Sequence, residues 1–261
     1  MRRSCCQFTG GDGPLVAAAI HNGHAIRREM AVLLAIDEKD RLREEDPWTG
    51  ELADVAPTRI VCNVSRFEFD LNRPRDKAVY LGPQDAWGLD IWVRTPSPAM
   101  FRRSLIRHDA FYRETKRLLS SVEGRYGKFV VFDLHSYNYR RGGPSASADD
   151  PLLNPDINIG TGTMDRKRWA SVVERLMHEL ASARVAGRTL DVRENVKFRG
   201  GYFPAWIHGN FPASGCAIAI ECKKIFMDEW TGAIFRDRFE GLKAALGKAA
   251  QGVLDELGGT F

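Results

Sequence analysis

Residues 128–144 read KFVVFDLHSYNYRRGGP. An apolar, β-branched and aromatic run delivers a histidine and then breaks into tyrosines, arginines, glycines and a proline, the pattern of a buried strand feeding a polar loop. Taken alone, a histidine at a strand end is more often a satisfied core residue than a ligand. The surrounding chain changes that reading. Further strand-like runs lie at 14–20 (PLVAAAI), 59–71 (RIVCNVSRFEFDL), 155–160 (PDINIG) and 216–226 (CAIAIECKKIF). Between them, 27–43, 101–125, 163–186 and 232–257 carry apolar residues at helical spacing. The last of these has Asp228 or Thr231 as its start and Gly258-Gly259 as its stop. Strands alternating with helices predict an α/β fold, a three-layer sandwich around a central mixed, mostly parallel sheet. The length suits one domain over 1–261. Residues 81–100 read as an ordered but irregular loop, and 145–151 as a surface loop or lid.

The charge is well mixed, with 38 basic and 34 acidic residues and a net +4. That argues against nucleic acid as a partner, while local excess at Arg102, Arg103, Arg107, Arg140 and Arg141 suits a small anionic one. The cysteines Cys5, Cys6, Cys62, Cys216 and Cys222 form no CxxC pair, and three lie in apolar runs. They read as small hydrophobes in a reducing cytoplasm, without a disulfide framework. Two early arginines are followed by no apolar segment of the signal-peptide kind, and no run reaches the length that spans a bilayer, so no membrane is expected.

In open α/β sheets, ligands gather beyond the carboxyl ends of the strands. Those positions hold His21-Asn22-Gly23-His24, then Asp70-Leu71-Asn72-Arg73, then His135-Ser136-Tyr137, while Glu221 interrupts the apolar run CAIAIE. Two histidines from separate strands suit a divalent metal, usually with a carboxylate completing the set. Asp46, Glu45, Glu29 and His24 are all candidates for the third position. Glu221 has the character of a general base, because a carboxyl among apolar neighbours is costly to bury without a role. Its bland alternative is an ion pair with Lys223 or Lys224. Asn72-Arg73 could clamp a substrate carboxylate, or Arg73 could pair with Asp70 or Asp76.

The ordered series HNGH (21–24), EDPWTGEL (45–52), SRFEFDLNR (65–73), RHDAFY (107–112), FDLHSY (132–137), PDINIGT (155–161), VKFRGGYF (196–203) and IAIECKKIFMDE (218–229) resembles the N-formylglutamate amidohydrolase family. That family shares the broader fold of zinc carboxypeptidases. The resemblance implies one Zn2+ per chain held by His21, Asp46 and His135, with Glu221 as general base and Arg66 beside it. It implies Asn72 and Arg73 as carboxylate binders, His108 and Tyr137 at the substrate, and Gly201 where backbone approaches the substrate closely. The chain departs from the pattern at His24, where zinc carboxypeptidases carry glutamate, in RHDAFY, which lacks a histidine and a proline, and at Lys224, where arginine is usual. The implied activity is zinc-dependent cleavage of the N-acyl amide of a small amino-acid substrate such as N-formylglutamate. Alternatives are a metallopeptidase or deacylase acting on a peptide or cell-wall fragment, and a non-catalytic homologue that binds acyl amino acids. The partner is then a small anionic N-acyl amino acid, and a homo-oligomer is compatible with the sequence.

Overall fold

The structure, a computed structural model, describes residues 5–258. Gly259 of the expected stop and the two N-terminal arginines lie outside them. The strands are β1 (Cys6–Thr9), β2 (Leu15–Ala19), β3 (Thr58–Cys62), β4 (Phe129–Tyr137), β5 (Ile157–Gly160), β6 (Arg184–Val185), β7 (Arg188–Thr189), β8 (Val192–Glu194) and β9 (Gly215–Lys223). The helices are α1 (Arg28–Ala31), α2 (Glu38–Glu44), α3 (Thr49–Leu52), α4 (Pro98–Tyr126), α5 (Ala170–Ser182), α6 (Tyr202–Asn210) and α7 (Arg236–Gly258).

Seven strands form one sheet in the order β1-β3-β2-β4-β9-β5-β8. β1 and β9 meet β3 and β5 in antiparallel fashion, and the other pairings are parallel, as expected from the sequence. Alternation along the strands sorts the core into two layers. Val130, Phe132 and Leu134 of β4, with Ile218 and Ile220 of β9, face α5 and α7. Phe129 and Val131 of β4 and Ala217 of β9 face Phe111 and Leu119 of α4 and Phe203 and Ile207 of α6. Helices therefore cover both faces, as a mostly parallel sheet requires.

β2 connects to β3 on one side of it, and the chain from β3 then crosses back over β2 to β4 on the other, so successive connections run in opposite directions. That reversal opens a crevice at the carboxyl ends of β2 and β4, the position where such sheets bind ligands.

Several boundaries differ from the periodicity, each for a local reason. The helical pattern over 27–43 breaks because Leu34 bridges to Trp92 and the Ala35 N–H donates to the Ile91 carbonyl. Asp37 then caps a new helix by accepting the Asp40 N–H at 2.8 Å. β3 ends at Cys62, not at 71, because Ala25 and Val64 bridge and the chain turns through Ser65. α7 starts at Arg236; Asp228 instead accepts the N–H groups of Trp230 and Thr231 in a tight turn. The expectation about cysteines is corrected at one pair: Cys6 and Cys62 are directly opposed across β1 and β3 and form a disulfide. Cys5, Cys216 and Cys222 are buried free thiols, as expected. The missing signal was register, which places two residues 56 positions apart in sequence side by side. Among the described residues, no helix is long and apolar enough to cross a membrane.

Candidate metal centre and active site

His21 follows the end of β2, while His135 lies within β4, which continues past the apolar run to Tyr137. The ring centroids are 4.8 Å apart. Asp46 reaches them from the segment between α2 and α3, pinned by its own N–H on the His21 carbonyl and by Thr49 Oγ1 on its carbonyl at 2.6 Å. Its Oδ2 lies 2.9 Å from His135 Nδ1 and 3.5 Å from His21 Nδ1. All three side chains are buried, and one ligand atom from each falls within 4.8 Å of the others.

The far side of each ring supports the same reading. His21 Nε2 is 2.7 Å from Asp70 Oδ1, which fixes the proton there and leaves Nδ1 as a bare acceptor. That Nδ1 is buried with no hydrogen-bond partner among the described residues. His135 Nε2 lies 3.0 Å from Asp133 Oδ1, within ion-pair range. An orphaned imidazole nitrogen, a second one facing the same carboxylate, and a carboxylate behind each ring form a donor set that fits a divalent cation.

The other candidates for the third position are engaged elsewhere. Glu45 takes His24 Nδ1 and Ser65 Oγ, and His24 Nε2 meets Arg41 at 2.7 Å. Glu29 pairs with Arg27 and Arg103 on the surface.

Asp70 is the structural hub behind His21. It also accepts the Asn72 N–H at 2.7 Å, Arg66 Nη2 at 2.9 Å and the Tyr80 hydroxyl. Burial alone would raise its pKa, but the Arg66 guanidinium and the His21 ring outweigh burial and hold it well below the usual carboxylate range. Burial likewise works against ionised Asp46, and the adjoining His135 and His21 rings outweigh burial and hold its pKa below the usual carboxylate range.

Glu221 sits beside His135 in register on the next strand, so both project from the same sheet face. Small residues, Gly215, Ala217 and Ala219, precede it on that face and leave room for α6 against the sheet. Although the pocket leaves it partly exposed, its carboxyl stands in the buried acidic cluster. Burial pushes its pKa up to about 7, with His135 opposing and Asp46 and Asp133 adding to the rise. The ion pair with Lys223 or Lys224 that would make Glu221 a structural residue does not form. Lys223 pairs with Asp156, and Lys224 donates to the carbonyls of Arg43 and Glu45 at 2.6 and 2.8 Å.

These groups line a pocket of about 160 Å³. That is below the roughly 300–1,000 Å³ of sites for drug-sized ligands, so a small substrate fits it best. Arg66 lines it, with its guanidinium 4.8 Å from the Trp87 ring, as does Asn72. Asn72 also accepts the Phe203 N–H at 2.9 Å, and a Cβ on Gly201 would fall 2.3 Å from its Oδ1. Gly201 therefore lets the start of α6 close onto Asn72. Tyr137 forms wall, its hydroxyl donating to the Pro155 carbonyl and its ring 5.5 Å from Phe198.

Two expected site residues stand behind the wall. Arg73 donates to the Asp85 carbonyl at 2.5 Å and stacks 4.4 Å over Tyr80. His108 Nε2 is 3.1 Å from the Arg73 carbonyl oxygen, and its ring packs on Tyr112. Sequence reasoning missed Asp133, Asn138 and Glu44. Asp133 had a findable signal, an aspartate two residues before His135 and so on the same strand face. Glu44 had none, since it reaches the pocket only through the fold of the 38–46 segment.

No curated protein matches the chain. Two solved structures resemble it closely in shape. One is N-formylglutamate amidohydrolase from Ralstonia eutropha JMP134, 16% identical, with a TM-score of 0.78 over 99% of this chain and 100% of that one. The other is a gene product of Agrobacterium tumefaciens, 15% identical, with a TM-score of 0.61 over 95% and 96%. At such identity these show a shared fold. The N-formylglutamate amidohydrolase family model matches residues 13–227, which include every residue of the centre described above. The chain thus belongs to the N-formylglutamate amidohydrolase family, hydrolases that act on amide bonds.

Proposed function

We propose that the protein is a zinc-dependent amidohydrolase, acting as a single domain, that cleaves the N-acyl amide of a small anionic amino-acid derivative such as N-formylglutamate. The observation that supports this most is the pair of Nδ1 atoms converging on Asp46, each ring backed by a buried carboxylate. His21, Asp46 and His135 would hold the zinc, which would supply Lewis acidity toward the amide carbonyl and the attacking water.

Glu221, with its carboxyl near neutrality, accepts the proton of the attacking water and returns it to the leaving amine. Arg66, fixed by Asp70 and Tyr80, holds positive charge where the carbonyl oxygen becomes negative. The Asn72 amide Nδ2, whose companion Oδ1 accepts the Phe203 N–H, is available to donate to the substrate. Arg73 and His108 shape the 70–73 turn that carries Asn72, and Tyr137 limits the pocket on the side of Phe198.

The test is metal analysis of protein purified without chelator, with hydrolysis of N-formylglutamate followed by release of free amine. One zinc per chain and metal-dependent release are expected. Glu221→Gln should abolish release and keep the metal. Absence of zinc binding together with absence of hydrolysis would remove this function.

A further inference from the structure

Four cationic side chains line the pocket: Arg43, Arg66, Arg141 and Lys224. Their existing partners decide which one can turn to a substrate. Arg66 is committed to Asp70, and drawing it away would loosen the hub that orients His21. Arg43 joins Glu44 to the buried Glu229 at 3.2 Å and stacks 3.9 Å over Trp230, so its release would take the ion-pair partner from buried Glu229. Lys224 is fully buried between two backbone carbonyls. Arg73, the guanidinium that the family resemblance assigns to the substrate, is held outside the pocket by Asp85 and Tyr80.

Arg141 differs from all of these. Its side chain is 40% exposed, and among the described residues its ion-pair partner is Glu44 alone, met through two parallel bonds of 3.2 and 3.1 Å. Glu44 keeps Arg43 at 3.0 Å and Asn138 Nδ2 at 3.2 Å when Arg141 leaves, so the exchange strands no buried charge. The fork that now grips one carboxylate has the geometry to grip another. Beside it stands a second, independent feature. Asn138 is 98% buried in the pocket lining, its Nδ2 donates to the Arg43 carbonyl at 2.9 Å, and its Oδ1 has no hydrogen-bond partner among the described residues. A buried acceptor without a donor is costly unless something supplies one.

We propose that Arg141 and Asn138 form the subsite for the amino-acid half of the substrate. Arg141 exchanges Glu44 for a substrate carboxylate, and Asn138 Oδ1 accepts a substrate N–H. This rests on the amidohydrolase reading and deepens it. Specificity for an anionic amino acid then comes from the loop after β4 and not from the Asn72-Arg73 segment.

The experiment compares N-formylglutamate with its two mono-amides, N-formylglutamine and N-formylisoglutamine, in wild type, Arg141→Gln and Arg141→Lys. Zinc content and thermal midpoint serve as folding controls. Arg141→Gln should raise KM for N-formylglutamate at least tenfold, with the loss carried by KM and not kcat. Lysine should recover only part, because it lacks the fork. The dependence on Arg141 should vanish with one of the mono-amides, which identifies the carboxylate it holds. Equal loss on all three substrates, or no loss, would overturn the assignment. If wild type hydrolyses none of them, the amidohydrolase reading fails separately, and calorimetric titration with L-glutamate still decides the subsite. Binding at least tenfold weaker in Arg141→Gln supports it; equal binding, or none to wild type, sinks it.

Discussion

Asp70→Asn isolates the support behind the metal centre. The substitution keeps the size of the side chain and an acceptor for His21 Nε2, but turns the second oxygen into an amide NH2 facing Arg66 Nη2 and the Tyr80 hydroxyl. Breaking a buried ion pair costs about 3–5 kcal/mol. The lower end applies here, because Arg66 retains Tyr80 at 3.0 Å and the Glu44 carbonyl at 3.4 Å. About 3 kcal/mol in a chain of this size lowers the thermal midpoint by roughly 6–12 °C. Loss of a carboxylate behind a metal-bound histidine typically weakens the metal about 10–100-fold. Competition with a zinc chelator measures the second effect, and melting without metal measures the first. Asp54→Asn is the control: Asp54 pairs on the surface with Arg59 and Lys243, and its loss should leave zinc affinity unchanged. Wild-type affinity in Asp70→Asn, or an equal drop in Asp54→Asn, would refute the idea that Asp70 orients a ligand.

Three further outcomes follow from the same geometry. Glu221 must be ionised to act as a base, and burial raises its pKa to about 7. The rate kcat/KM should therefore rise with pH to a plateau, with a midpoint at or below about 7 since a bound cation lowers the value; a rate that falls between pH 5 and 8 would contradict this role. Lys224→Met removes the donor to two buried carbonyls and should cost about 1–3 kcal/mol in urea unfolding. Burial lowers the pKa of Lys224 to about 8, so from there to the ordinary lysine value of about 10.4 the unfolded chain binds more protons. Wild type should gain stability over Lys224→Met as pH rises through that window, and a shrinking gap would count against it. Cys62→Ala opens a link across 56 residues and should cost roughly 2–4 kcal/mol in unreduced protein. Thiol titration of unfolded, unreduced wild type should find Cys6 and Cys62 blocked; five free thiols would contradict the pairing.

The alternation of apolar runs and helical stretches was enough to read the α/β class and the main strands, because burial on both faces leaves near-continuous apolar segments in sequence. The same runs placed His21 and His135 at strand ends and Glu221 within a strand, since a polar group closing or interrupting a buried strand needs a partner or a role. Chain order could not choose among Asp46, Glu45, Glu29 and His24. That choice belongs to the 38–49 segment, which folds so that Asp46 points at the rings while Glu45 turns to His24 and Ser65. Nor could it show that Arg73, adjacent to Asn72 in sequence, is drawn off by Asp85 and Tyr80. Cys6 opposite Cys62, and Arg141 opposite Glu44, are likewise meetings of distant residues. Local pattern fixes which face of an element is apolar. Only the packing of those elements decides which polar groups, far apart along the chain, come within a hydrogen bond of one another.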